Sequence, residues 1–195
     1  MENKYNAKQI QILEKGKELF WKYGLKRVSI EEICREAGIS KMTFYKYFPN
    51  KNELAFTILN EIFDESIRKI QSMGEEHSNP EETLEKILHL KFEGTLGISE
   101  EFMKDIYASP AAPMKEFINN KTTEVLNEVI LLYEKGKKDG WVRQDLNVPF
   151  MLYFTRKSID LVTKDDIPPF FQNPQDMIME LTRLFIYGIA PHHIK

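Results

Sequence analysis

Residues 28–51 read VSIEEICREAGISKMTFYKYFPNK, and the fold turns on this stretch. Ser29 followed by Glu32 forms a capping box, so a helix is expected to start there. Ile30, Ile33 and Ala37 recur at helical spacing and give that helix a buried face. Gly38 can take the left-handed backbone that ends it, Ile39 fills the angle, and Ser40 caps a third helix over Lys41–Tyr47 that Pro49 terminates. Two short helices meeting at a three-residue turn are a helix-turn-helix pattern, whose second helix enters the major groove of DNA. The small side chain of Ala37 permits the close approach.

The third helix divides by face. Phe44 and Phe48, four apart, are predicted to pack inward. Lys41, Met42, Thr43, Tyr45 and Lys46 are left outward, a set able to donate to guanine edges, touch thymine methyls and reach phosphates. Ser40 leaves free N–H groups at the positive end of the helix, which suits a phosphate. Tyr47 and Lys51 sit where flanking phosphates are expected. A Lys- and Tyr-rich hairpin with a glycine turn also suits a protein partner, so the alternative is a helical protein–protein interaction module without DNA binding.

Outward from this stretch the chain reads as helices alone. The first runs from Ala7 to Tyr23 and stops at Gly24. The fourth, capped by Asn50, runs from Lys51 to Met73. After a polar break at 74–80 come five more, at about 81–96, 99–108, 113–139, 147–163 and 174–190. No alternating apolar and polar run bounded by turns marks a strand. The expectation is an all-α chain of about nine helices. Residues 1–50 form one unit and 51–195 a larger helical one, with the helix at about 51–73 connecting them.

Composition bounds the function. The chain has 195 residues and a net charge of -3, distributed unevenly. Residues 1–51 carry 11 Lys and Arg against 6 Asp and Glu, whereas the remainder carries 16 against 24. A basic front and an acidic body point to a polyanion meeting the front only. The single cysteine excludes an internal disulfide framework. No segment approaches the roughly 20 apolar residues of a membrane span. Met1–Gly16 lacks an apolar signal core, so a cytoplasmic protein is expected.

The ordered residues Leu19-Phe20, Tyr23-Gly24, Val28-Ser29-Ile30, Ile33, Ala37-Gly38-Ile39-Ser40, Thr43-Phe44-Tyr45, Tyr47-Phe48, Lys51 and Leu54 resemble the DNA-binding domain of the TetR family of bacterial transcriptional regulators. The resemblance covers about a quarter of the chain. It implies a homodimer that binds double-stranded operator DNA through three N-terminal helices. It also implies an effector site in the C-terminal domain and a dimer formed through the last two helices. Carried over by position, Lys41, Met42, Thr43, Tyr45 and Lys46 resemble base-facing positions. Ser29, Tyr47 and Lys51 resemble phosphate-contacting ones. Gly16 stands where an alanine is usual, at about 1 kcal/mol of helix propensity, and Met42 where a small residue or proline is common.

In the body, Phe92, Met103, Tyr107, Phe117, Tyr133, Tyr153, Phe154 and Arg156 are candidate effector contacts. Aromatic and methionine side chains suit a small apolar or aromatic ligand, and filling the core is the competing role for each. The stripe Ile178, Leu181, Leu184, Phe185 and Ile189 on the last helix reads as dimer surface or monomer core, with Met151, Leu152, Ile159 and Val162 as its other half. No nucleophile elbow, phosphate loop, dinucleotide fingerprint or metal-ligand spacing is present. The expectation is therefore a ligand-responsive DNA-binding regulator, a repressor, and not an enzyme, with neither cofactor nor metal.

Overall fold

Side-chain caps set where this chain turns helical. Asn6 Oδ1 accepts from the backbone of Lys8 and Gln9 and starts α1, Ala7–Tyr23. Ser29 and Glu32 form the expected capping box at the head of α2, Ile30–Glu36. Ser40 Oγ accepts from Thr43 N and opens α3, Lys41–Tyr47. Asn50 Oδ1 accepts from Glu53 N at the start of α4, Lys51–Glu75. Each cap satisfies backbone donors that the first helical turn cannot.

The computed structural model describes residues 4–75, 80–108, 111–163 and 168–191. Beyond α4 lie α5 (Pro80–Thr95), α6 (Glu100–Met103), α7 (Ala112–Asp139), α8 (Val148–Thr163) and α9 (Pro174–Ile189), and no strand occurs among the described residues. The helix expected over 99–108 is a single α-turn followed by a π-helical turn, Lys104–Ala108. Helix α4 continues through Gly74 to Glu75, so the break expected at 74–80 is shorter at its near end, and 76–79 lie outside the described residues. Among the described residues no helix is long and apolar enough to cross a membrane.

The first apolar core does not close within α1–α3. It contains Ile12, Phe20, Ile33, Phe44 and Phe48, and continues through Leu54 and Ile58 of α4 into Phe102, Ile106, Met114 and Ile118. Gly16 faces α4, where an added Cβ would lie 3.0 Å from Leu54 and 3.1 Å from Ile58. The absent methyl that weakens α1 as a helix thus lets α1 and α4 close together. A second core gathers Ile70, Leu132, Trp141, Val142, Leu146 and Ile189 at the far end of the body. A third, smaller one joins Met103 to Met177.

The body grips the N-terminal helices through α6 and the π turn. Trp21 and Phe102 rings lie 4.2 Å apart between centroids. Ser99 N donates to Trp21 O at 2.9 Å. Asp105 Oδ2 accepts from Lys26 N at 2.8 Å, and its carboxylate pairs with the Lys26 ammonium at 3.3 Å. Gly24 permits this approach: its φ is +80°, and a Cβ there would meet Asp105 Oδ2 at 2.8 Å.

Gly24→Ala is therefore expected to cost about 1–3 kcal/mol in backbone strain, plus whatever Asp105 loses when pushed from Lys26. Gly38→Ala has φ +63° and open space around its added methyl, and is expected to lose only about 1–2 kcal/mol. Urea unfolding of both variants checks the order, which is reversed if α6 does not bear on this loop.

Candidate nucleic-acid interface

Helix α3 is seven residues long, and its two faces differ sharply. Phe44 is 0% exposed and Phe48 4%, whereas Met42 is 83% exposed and Tyr45 53%. The inward rings meet at 5.9 Å, and Tyr45 stands edge-on to Phe44 at 5.6 Å. Burying two phenylalanines is worth roughly 1.5–3 kcal/mol each, which fixes the rotation of the helix and so the direction of every other side chain on it. Lys41, Met42, Tyr45 and Lys46 are exposed and Thr43 half-buried. The five positions read as outward thus form one surface.

The polar groups at the head of α3 are engaged locally. Thr43 Oγ1 lies 3.0 Å from Ser40 Oγ. The Lys41 ammonium pairs with Glu31 of α2, which ties the two helices. This contact holds the Glu31 carboxyl below its usual range and the Lys41 ammonium above its own. The Lys46 ammonium lies 5.8 Å from the Tyr47 ring centroid, and Tyr47 is half-buried against the first core. Ser29 Oγ serves the α2 cap, accepting from Glu32 N and donating to Glu32 Oε2 at 2.9 Å.

Lys51 is half-buried at the first turn of α4. Its ammonium donates to Val28 O at 2.6 Å and Lys26 O at 3.1 Å, and burial lowers its pKa. Two of its three N–H groups hold the loop between α1 and α2. Asp105 holds the same loop from the body side, a role that no local signal near residue 105 announces. Cys34 is buried, and burial pushes its thiol up.

The candidate effector residues of the body fall in several places. Met103 is buried with Met177, and Tyr107 is half-buried beside that pair and the first core. Phe117 sits between Phe56 and Phe63 of α4, with centroids at 5.3 and 6.3 Å. Tyr133 packs edge-on to Trp141 at 6.4 Å, and burial pushes its hydroxyl up to about 12. Tyr153, Phe154 and Arg156 of α8 are exposed, as is Phe92 of α5. Phe92 alone of the set borders an open groove of about 830 Å³ between α4, α5 and α9.

The apolar stripe of α9 is split between two roles. Ile189 is fully buried and Met151 of α8 is buried with it. Ile178, Leu181, Phe185 and Leu152 are half-buried, and Leu184 is exposed. The side chains of Ile159 and Val162 lie outside the described residues. The large apolar residues these two helices leave exposed are Phe150, Tyr153, Phe154 and Leu161 of α8 and Leu184 and Tyr187 of α9. Among the described residues no group of three or more His, Cys, Asp or Glu could hold a metal ion.

Comparison with known proteins agrees with this architecture. Residues 12–58 match the family of bacterial regulatory proteins described as the tetR family. The uncharacterized helix-turn-helix-type transcriptional regulator YuxN of Bacillus subtilis is 33% identical over 89 residues, 46% of this chain but only 31% of YuxN. The transcriptional repressor KstR2 of Mycobacterium tuberculosis is 21% identical over 154 residues, 77% of either protein. The solved structure of FadR from Bacillus subtilis in complex with stearoyl-CoA superimposes with a TM-score of 0.65 at 17% identity, covering 93% of this chain and 99% of that one. The front of the chain, residues 12–58, thus matches the tetR family of bacterial regulatory proteins, and the chain as a whole shares the fold of the solved FadR structure.

Proposed function

We propose that the protein is a ligand-responsive transcriptional repressor, acting in the cytoplasm and not as an enzyme. Residues 1–50 hold operator DNA, and residues 51–195 bind a small effector that releases it. The observation that carries this reading is the two-faced α3: rings locked inside, and Lys41, Met42, Thr43, Tyr45 and Lys46 outside on one surface. Met42 and Tyr45 supply apolar contact to base edges, and Lys46 neutralises phosphate. Glu31 competes with DNA for the Lys41 ammonium, so that cation changes partner on binding. Lys51, by its contacts with Lys26 and Val28, acts as a positioning residue for the loop before α2.

A two-fold operator needs a two-fold protein. The exposed apolar residues of α8 and α9 support a homodimer formed by these two helices, since a monomer rarely leaves such a patch in water. An effector can shift the equilibrium only if it binds the DNA-holding and DNA-releasing forms with different affinity. The route we favour runs through α6 and the π turn. They contact α7 and α8 on one side and, through Phe102 and Asp105, the end of α1 and the loop after it on the other. The stearoyl-CoA bound to FadR supports an effector with a large apolar part.

Gel retardation with DNA from upstream of the protein's own gene tests the reading. Tyr45→Ala and Met42→Ala are expected to weaken binding about tenfold or more, with unfolding unchanged. Lys46→Ala is expected to weaken all sequences alike and lower the salt slope by about 1. Wild-type protein that leaves every such fragment unshifted, while remaining folded, would return the surface to a protein partner.

Glu31→Gln is expected to tighten DNA binding several-fold by removing the competitor of Lys41, with the gain largest at low salt. The double variant Leu184→Arg, Tyr187→Arg is expected to sediment as a folded monomer and to lose operator binding. A dimer that persists in that variant places the interface elsewhere.

A further inference from the structure

The loop between α1 and α2 holds its two cations in different ways. Lys26 is tied to the body: its N–H donates to Asp105 Oδ2 at 2.8 Å, and its ammonium pairs with the same carboxylate at 3.3 Å. Arg27 is exposed, and its guanidinium has no hydrogen bond or ion pair among the described residues. It lies 4.7 Å from the centroid of the Tyr23 ring. The Lys22 ammonium, also exposed, lies 4.9 Å from the same centroid and pairs with no carboxylate among the described residues. One ring in the last turn of α1 thus gathers two cations that lack a counter-ion there.

The backbone around Arg27 is fixed on both sides. Lys51 Nζ donates to Lys26 O at 3.1 Å and to Val28 O at 2.6 Å, the carbonyls before and after Arg27. Leu25 and Val28 are buried, and Tyr23 packs against the first core. Hydrogen bonds from Ser29, and to a smaller degree the charge of Arg27, lower the Glu32 pKa. That carboxylate is engaged by the α2 cap, accepting from Ser29 N at 2.8 Å and Ser29 Oγ at 2.9 Å. A guanidinium on an anchored loop, laid against a half-buried ring, gives up little freedom when it binds.

Helix α2 sets where this pair stands relative to α3. Arg27 precedes Glu31 by four residues, a span of at most about 14 Å, and the Glu31 carboxylate pairs with Lys41 at the head of α3. The major groove is about 12 Å wide. With α3 in that groove, cations at such a distance from its head come to the phosphates along the groove's edge.

We infer that Arg27 and Lys22, held by Tyr23, form a second DNA contact, in which the planar fork of Arg27 takes one backbone phosphate and Lys22 a neighbouring one. This rests on the reading of α3 as the DNA-facing helix. Lys51 serves the contact as a positioning residue, by fixing the peptide units on either side of Arg27. The contact reads no sequence, because every phosphate is alike.

The test measures DNA binding by the full chain across a range of salt concentrations, using fluorescence anisotropy. Two labelled duplexes are compared, one from upstream of the protein's own gene and one of scrambled sequence. Each phosphate contact contributes about 0.9 to the slope of log affinity against log salt. Arg27→Ala and Lys22→Ala are each expected to lower that slope by about 1 on both duplexes, and Arg27→Ala to weaken binding about tenfold at low salt. Arg27→Lys retains most of the slope. Lys138→Ala, which removes an exposed cation of α7, controls for net charge and leaves the slope as it was. Lys51→Met is expected to weaken binding in the wild-type background and to add little in Arg27→Ala, a non-additivity that a general loss of stability would not produce.

An unchanged slope in a folded Arg27→Ala variant, with wild type still bound to the upstream duplex, overturns the contact and leaves the regulator reading standing. A slope that falls in Arg27→Ala while Tyr45→Ala and Met42→Ala bind as wild type keeps the contact and removes α3 as the reading helix. Wild-type protein that binds neither duplex at low salt overturns both.

Discussion

A helix of seven residues does not persist by itself in water, because nucleation takes most of what its few hydrogen bonds return. α3 exists because Phe44 and Phe48 are locked into a core built by other helices. Everything the front of the protein presents follows from that burial. Once the two rings are inside, Met42, Tyr45 and Lys46 have one direction left, and the Ser40 cap and the Lys41–Glu31 pair set the start of the helix against α2. Truncating Phe44 would remove the reference for the whole surface as well as stabilising area, at a cost in the range of 3–5 kcal/mol.

That core is shared. Phe102, Ile106, Met114 and Ile118 complete it from the body, so the three front helices depend on α6, the π turn and α7 for their packing. The loop from Gly24 to Val28 is held from two sides. Lys51, at the first turn of α4, reaches its carbonyls, and Asp105, from the π turn, takes its Lys26 amide. Movement of the body's inner helices therefore bears directly on the segment that sets α1 against α2. π-helical turns recur at functional positions for a related reason: the extra residue reorients side chains and leaves a local packing compromise that can shift.

Much of the fold is legible in the chain because its signals are local. The Ser29–Glu32 box, the Ser40 and Asn50 caps, the glycine after α2 and the spacing of Phe44 and Phe48 act within one or two helical turns. The composition of the outward surface of α3 follows from the same spacing. Other features depend on partners far along the chain. Lys51 reads as a free cation beside Pro49 and Asn50, but the carbonyls of Lys26 and Val28 claim it from more than twenty positions away. Gly16 reads as a helix defect until Leu54 and Ile58 are seen against it. The α9 stripe reads as a single face, whereas Ile189 is buried and Leu184 exposed, since the five-residue step between them turns the helix by roughly 140°.

The sequence by itself determined the helices, the turn between α2 and α3, the buried pair of phenylalanines and the basic character of the front, since each follows from residues close enough to interact along the chain. Only the tertiary structure decided which carbonyls Lys51 serves and that Asp105 grips the loop after α1. Those are consequences of where distant helices come to rest, and packing brings together groups whose separation in sequence carries no trace of their separation in space.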